Sequence, residues 1–159
     1  MIEHPFAPVY DARSRILILG SFPSVRSREV GFFYGHERNR FWRVLAAVLN
    51  EPLPGSIPEK KEMLLRRGVA LWDAAGECEI TGSSDASMKQ VKPNDFAPIF
   101  EAARIRAVFC NGATAHRIYQ QYSAALFGEA IRLPSTSPAN AACDYETLCA
   151  AWERIGEFL

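Results

Sequence analysis

The segment Arg15–Gly20 reads RILILG, four large aliphatic side chains in succession closed by a glycine. A strand with one wet face alternates polar and apolar residues. An unbroken apolar run this short is instead a strand covered on both faces, as in a parallel sheet with helices above and below. RAVFCNG (106–112) repeats the pattern, AIRLPS (130–135) is a weaker third case, and GVALWDA (68–74) is a candidate fourth. Helical signals lie between them. RNRFWRVLAAVLN puts Phe41, Val44, Leu45 and Val48 on one stripe, and PEKKEMLLRRG has Pro58 near its start and Gly68 as its stop. NDFAPIFEAA opens on Asn94 or Asp95 as a cap, and GATAHRIYQQYS and DYETLCAAWERIGEFL complete the set. The proline-bearing HPFAPVYD (4–11) reads as an extended arm. This alternation predicts an α/β fold, a three-layer sandwich with a mostly parallel central sheet of about four strands flanked by helices. At 159 residues, 48% hydrophobic, without repeats or a low-complexity linker, residues 1–159 read as one domain.

Eighteen basic and eighteen acidic side chains cancel, so any grip on nucleic acid must come from a local patch. The cysteines Cys78, Cys110, Cys143 and Cys149 form no CxxC pair and have no histidine at metal-ligand spacing, which points to a reduced cytoplasmic protein with no metal and no cofactor. No leader-like segment or membrane-length apolar run is present, so no membrane partner is expected.

In an open parallel sheet, sites form beyond the carboxyl ends of the strands. Three such ends lead into GSFPS (20–24), NGATAH (111–116) and STSPAN (135–140), and the polar stretch GSSDASMKQVKPND (82–95) reads as a fourth loop flanking them. GSFPS is not the GxSxG nucleophile elbow, no glycine-rich phosphate cradle is present, and His4, His36 and His116 are scattered. What remains is GFFYGHERNRFW (31–42), an amide among arginines and aromatics. Aromatic rings stack an extruded base, an amide reads a base edge or holds a water, and arginines bind phosphate.

The succession GSFPS, GFFYGHERNRFW, GVALWDA, GSSD, FCNG and STSPAN, from His4 to about Asn140, resembles the uracil-DNA glycosylase superfamily, and within it the hypoxanthine-DNA (deoxyinosine) glycosylase branch. The resemblance implies a monofunctional DNA glycosylase of base excision repair, with a flipped-out deaminated base as substrate and a monomeric state. It places Asn39 as the catalytic amide. Tyr34, Phe22, Asn111, Ser135 and Ser137 fall among the base-binding positions, and Arg38, Arg40, Ser24, Pro138, Ala139 and Asn140 on the DNA side. Pro138, Ala139 and Asn140 are the candidates for a wedge into the duplex. Phe22 stands where many members of the superfamily carry a water-positioning Asp or Asn. Ser135 stands where the last motif often has His. Both departures point away from uracil and toward a deaminated purine.

From the residues alone, Asn39 also reads as a helix cap, Phe41 and Trp42 as core anchors, and His36 as a loop histidine. Lys60, Lys61, Arg66 and Arg67 read as a solvated helix face, and Asp73 or Asp85 as a conventional base in place of Asn39. Three other functions fit the same residues: excision of uracil or mismatched bases, non-catalytic binding of damaged DNA, and a flavodoxin-like binder of small molecules.

Overall fold

The computed structural model describes residues 1–159. In chain order the elements are β1 (Ile2–Glu3), β2 (Ile16–Gly20), α1 (Val25–Val30), α2 (Phe41–Leu49), α3 (Ile57–Arg66), β3 (Val69–Asp73) and β4 (Ala75–Glu79). There follow β5 (Lys89–Pro93), α4 (Ala97–Ala102), β6 (Ala107–Asn111), α5 (Ala113–Tyr122), α6 (Ala124–Phe127), β7 (Ala130–Leu133) and α7 (Tyr145–Trp152), the last continued by a 3₁₀ turn over Glu153–Phe158.

Four strands in the order β3-β2-β6-β7 form a wholly parallel sheet. The unbroken apolar character of β2 has a direct cause, since every residue in it is buried. Ile16 and Ile18, with Val69, Leu71 and Phe109, face Phe41, Leu45, Leu64 and Trp152 from α2, α3 and α7. Leu17 and Leu19, with Val108 and Cys110, face Phe96, Ile99, Ile118 and Tyr119 around α4 and α5. Each aliphatic side chain taken wholly out of water contributes about 1.5–3 kcal/mol. The result is the expected α/β sandwich, with all four assigned apolar runs serving as strands of one sheet.

A second sheet, antiparallel in the order β1-β4-β5, lies outside that expectation. The stretch 82–95 is therefore a loop only as far as Met88, after which Lys89–Pro93 pairs with β4. Only Val91 in β5 is half-buried, so no apolar pattern marks the strand. The amino-terminal arm is extended but tied down, through β1 on β4 and a bridge from Val9 to Leu71. Of the two cap candidates for α4, Asp95 Oδ1 accepts the Ala97 N–H at 3.0 Å. Asn94 instead donates its amide to the carbonyls of Asp73 and Ala75, at 2.8 and 3.1 Å. Lys60 and Lys61 lie over the rings of Trp42 and Phe32, and Arg66 and Arg67 pair with Glu51. No helix is long and apolar enough to cross a membrane.

Candidate active site

A parallel sheet brings the carboxyl ends of all its strands to one edge. There the loops enclose a pocket of about 550 Å³, lined by residues 20–24, Tyr34, Asn39, Asp73, 83–86, Asn111 and 135–139. Gly20 and Asp73, the last residues of β2 and β3, are in register at its floor. A side chain at Gly20 would not fit, because a Cβ there would stand 2.5 Å from Asp73 Oδ1 and 2.9 Å from the Tyr34 hydroxyl.

One wall is built of amides and a hydroxyl. Thr136, wholly buried, donates its hydroxyl to Asn39 Oδ1 at 2.8 Å and accepts from Asn111 Nδ2 at 2.9 Å. Its N–H donates to Asn111 Oδ1 at 3.0 Å. Asn39 Oδ1 also accepts the N–H of Phe41 at 2.9 Å, capping α2 from just before its first turn. A carbonyl oxygen has two lone pairs. Both are committed here, to a backbone donor and a hydroxyl donor, so the amide nitrogen of Asn39 is the group left for the pocket. The cap reading and the pocket reading of Asn39 are thus both true, and the cap fixes which end of the amide faces inward.

The opposite wall is acidic. Asp73, buried, receives the Nε2 of His4 on Oδ2 at 2.6 Å. Asp85 receives the Ser21 hydroxyl at 2.8 Å. It sits exposed at the rim, but the protein crowding its carboxyl holds its proton affinity above the usual carboxylate range, with the Ser21 bond opposing that shift. Tyr34 connects the two walls. Its ring stacks on Phe41 with centroids 4.0 Å apart, its backbone sits at φ +52°, and its buried hydroxyl has no hydrogen-bond partner. Burial first, and then the charge of Asp73, keep that phenol protonated.

The carboxyl-terminal loop is self-braced. Ser135 Oγ accepts the Ser137 N–H and Ser137 Oγ accepts the Ala139 N–H, each at 3.1 Å, which leaves both hydroxyl protons free to donate. Asn140 spends its amide on the Ser135 carbonyl at 3.0 Å, while Pro138 and Ala139 stand exposed at the tip. Arg40 donates to the carbonyls of Cys143 and Asn140 at 2.6 and 3.1 Å, so its guanidinium straps this loop to α2. Arg38 is the exposed member of the pair. Ser24 lines the pocket while capping α1 through the Ser27 N–H, and Phe22 lines it from a buried position against Ala75 and Cys78. Of the sequence-assigned residues, Arg38, Arg40 and Asn140 lie outside the lining. His4, Ser21 and Thr136 are the residues that sequence reasoning passed over, whereas Asp73 and Asp85, read there as alternative bases, both line the pocket. His4 and Asp73 are 69 positions apart, and the register of β2 with β3 carries Asp73 to the pocket.

The profile described as "Uracil DNA glycosylase superfamily" matches residues 7–156. Two curated relatives named hypoxanthine DNA glycosylase, from Methanosarcina acetivorans and Methanosarcina barkeri, are 34% and 32% identical over 142 residues, which is 88% of this chain and 89% of each relative. A solution NMR structure from Methanosarcina acetivorans, provisionally described as a uracil DNA glycosylase, superposes with a TM-score of 0.83 at 30% identity, covering 98% of this chain and 96% of that one.

Proposed function

We propose that this chain, which belongs to the uracil DNA glycosylase superfamily, excises hypoxanthine from DNA in preference to uracil. Membership makes it a DNA glycosylase, a hydrolase of N-glycosyl bonds acting on deaminated bases in DNA. The preference among those bases is the proposal, and the names of the two curated relatives support it. The chain acts as a monomer on a nucleotide turned out of the duplex, with Arg38 on the phosphate backbone and Pro138 and Ala139 at the gap left behind.

The observation that carries the mechanism is the full occupancy of Asn39 Oδ1. Asn39 meets the substrate as a donor, able to bond the departing base or one lone pair of the attacking water, and unable to take a proton. Breaking an N-glycosidic bond moves negative charge onto the base and leaves oxocarbenium character on the sugar. Donors on one side of the base and carboxylates near the sugar lower both ends of that charge separation. The amide wall supplies the donors, from Asn39 Nδ2 and the hydroxyls of Ser135 and Ser137. The acidic wall supplies the negative field, from Asp73 and Asp85. Water attacking a developed cation needs position more than a strong base, and positioning alone is worth up to about 7–11 kcal/mol. No lysine lines the pocket, so no Schiff base forms and the strand stays intact after the base departs.

A deaminated base is a lactam, with a carbonyl acceptor beside a ring N–H donor. The free N–H group of Asn39 matches the carbonyl, and Asp73 Oδ1, to which no donor is bonded in the fold, matches the ring N–H. The test is a set of matched duplexes carrying hypoxanthine, xanthine, uracil or adenine at one position, assayed for released base and for strand cleavage before and after alkali. Hypoxanthine is expected to leave fastest, adenine not measurably, and nicks to appear only after alkali. Faster release of uracil, or binding without release, overturns the preference.

A further inference from the structure

His4 lies far from every other polar motif in the chain, yet its side chain is among the least exposed polar groups of the molecule, at 3% beside 5% for Asp73. Four aromatic rings enclose it: Trp72 at 4.5 Å, Phe6 at 4.7 Å, Phe22 at 5.8 Å and Phe33 at 6.2 Å between centroids. Packing alone would be served by another aromatic or a leucine. A buried imidazole needs partners for both nitrogens, and they are present. The N–H of Phe6 faces Nδ1 at 3.4 Å, so Nδ1 is the acceptor and the ring proton sits on Nε2, 2.6 Å from Asp73 Oδ2. That single donor fixes one oxygen of the carboxylate. The other, Oδ1, accepts no bond from the fold and packs over Gly20, 2.5 Å from where a Cβ would stand, on the lining of the pocket.

We propose that His4 is a positioning residue for base selection: it holds Asp73 through Oδ2 so that Oδ1 meets the ring N–H of a lactam base. The inference rests on the reading that a deaminated base enters this pocket, and it makes the amino-terminal arm part of the site. A ring N–H is a donor to the fixed oxygen. Adenine presents a bare ring nitrogen at the same place, so two lone pairs would meet across a desolvated gap. The arm is anchored for this purpose at both ends, by β1 on β4 and by Val9 on Leu71, which fixes the entry of His4 beside the end of β3. Without the imidazole, Asp73 has no bonded side-chain donor, and its carboxylate is free to rotate.

The experiment compares the wild-type protein with His4→Ala and His4→Gln. It uses single-turnover excision from a hypoxanthine duplex and inhibition by two free bases, hypoxanthine and 1-methylhypoxanthine, the second lacking the ring N–H. In His4→Ala, excision and inhibition by hypoxanthine should both fall roughly 10- to 100-fold, the scale of a hydrogen bond lost from a buried charge. Affinity for an abasic-site duplex should stay within about twofold, because phosphate contacts dominate it. Glutamine presents an amide donor in place of Nε2, and His4→Gln should recover most of the loss. 1-Methylhypoxanthine should inhibit the wild type and His4→Ala equally poorly. Wild-type excision by His4→Ala overturns the inference. So does an equal loss in both variants with inhibition by hypoxanthine unchanged, since that is the behaviour of a merely structural residue. If the wild type ignores hypoxanthine, the substrate reading fails separately. The same comparison with a uracil duplex, uracil and 3-methyluracil then tests His4 on its own.

Discussion

The two walls of the pocket solve different problems with similar side chains. Asn39, Thr136 and Asn111 are joined to one another and to α2 by four hydrogen bonds of 2.8–3.0 Å, donor to acceptor in sequence. Asp73 and Asp85, across the same space, each receive one side-chain donor from the fold. The amide wall is closed and neutral, so it holds geometry and leaves Asn39 Nδ2 without a partner in the fold, the donor the proposed mechanism uses. The acidic wall is open and charged, so it supplies field and acceptors with lone pairs to spare. In the proposed mechanism, positioning comes from the network that is nearly saturated, and chemistry from the groups that are not.

The contrast can be broken first at Thr136. Thr136→Val keeps the shape but removes the hydroxyl, leaving Asn39 Oδ1 one donor short and Asn111 Nδ2 without its acceptor. Single-turnover excision should fall on the order of 100-fold and urea unfolding should show a loss of about 1–3 kcal/mol, with Thr136→Ser recovering most of both. Excision unchanged in Thr136→Val would mean that the wall does not act as a unit.

The arginine pair at the edge of the amide wall sharpens the division between frame and contact. Arg40→Ala removes the strap to Cys143 and Asn140. It should cost about 1–3 kcal/mol of stability while leaving the salt dependence of DNA binding as it was. Arg38→Ala should leave the melting temperature alone and lower the slope of log affinity against log salt by about one. Reversed results would exchange the two roles.

The smallest expected effect belongs to Asp85. Its folded-state proton affinity is raised, first by the crowding of its carboxyl, so the folded protein binds this proton more tightly than the unfolded chain does. Its contribution is therefore nil below the ordinary carboxylate range. It becomes unfavourable as pH rises through that range to the folded value, and stays constant above. Asp85→Asn should accordingly be slightly more stable than the wild type at neutral pH and no more stable at pH 3, measured by thermal unfolding at both. Exposure at the rim keeps the difference small. Excision should slow only severalfold. A gain confined to acid pH would contradict the sign.

The legible and illegible parts of this chain divide along physical lines. The parallel sheet could be read because burial on both faces removes every polar residue from β2, and a run such as ILIL has no other use. The second sheet could not, because AGECE and KQVKP bury one side chain here and there and keep their polar residues in water. Short α1 has no apolar stripe; Ser24 at one end and left-handed Gly31 at the other define it. In the site, Asn39 and Asn111 stood out because each follows or precedes a strong element. Thr136 looked like one more turn residue between two serines, although it is the one buried completely. The His4–Asp73 contact joins an arm to a strand end across 69 positions, and no local pattern records a contact at that separation.

The central claim is that Asn39 serves through its amide nitrogen, and Asn39→Asp tests it most directly. Aspartate keeps an oxygen for the Phe41 N–H and the Thr136 hydroxyl and so preserves the cap and the wall, but it replaces the free donor with an acceptor. Measured alongside Asn39→Ala in single-turnover excision of hypoxanthine, with thermal unfolding as the control for folding, Asn39→Asp should lose about 10²–10³-fold in rate while retaining the wild-type melting temperature. Wild-type or faster excision by Asn39→Asp would show that an oxygen acting on water does the work at this position, and would contradict the donor role.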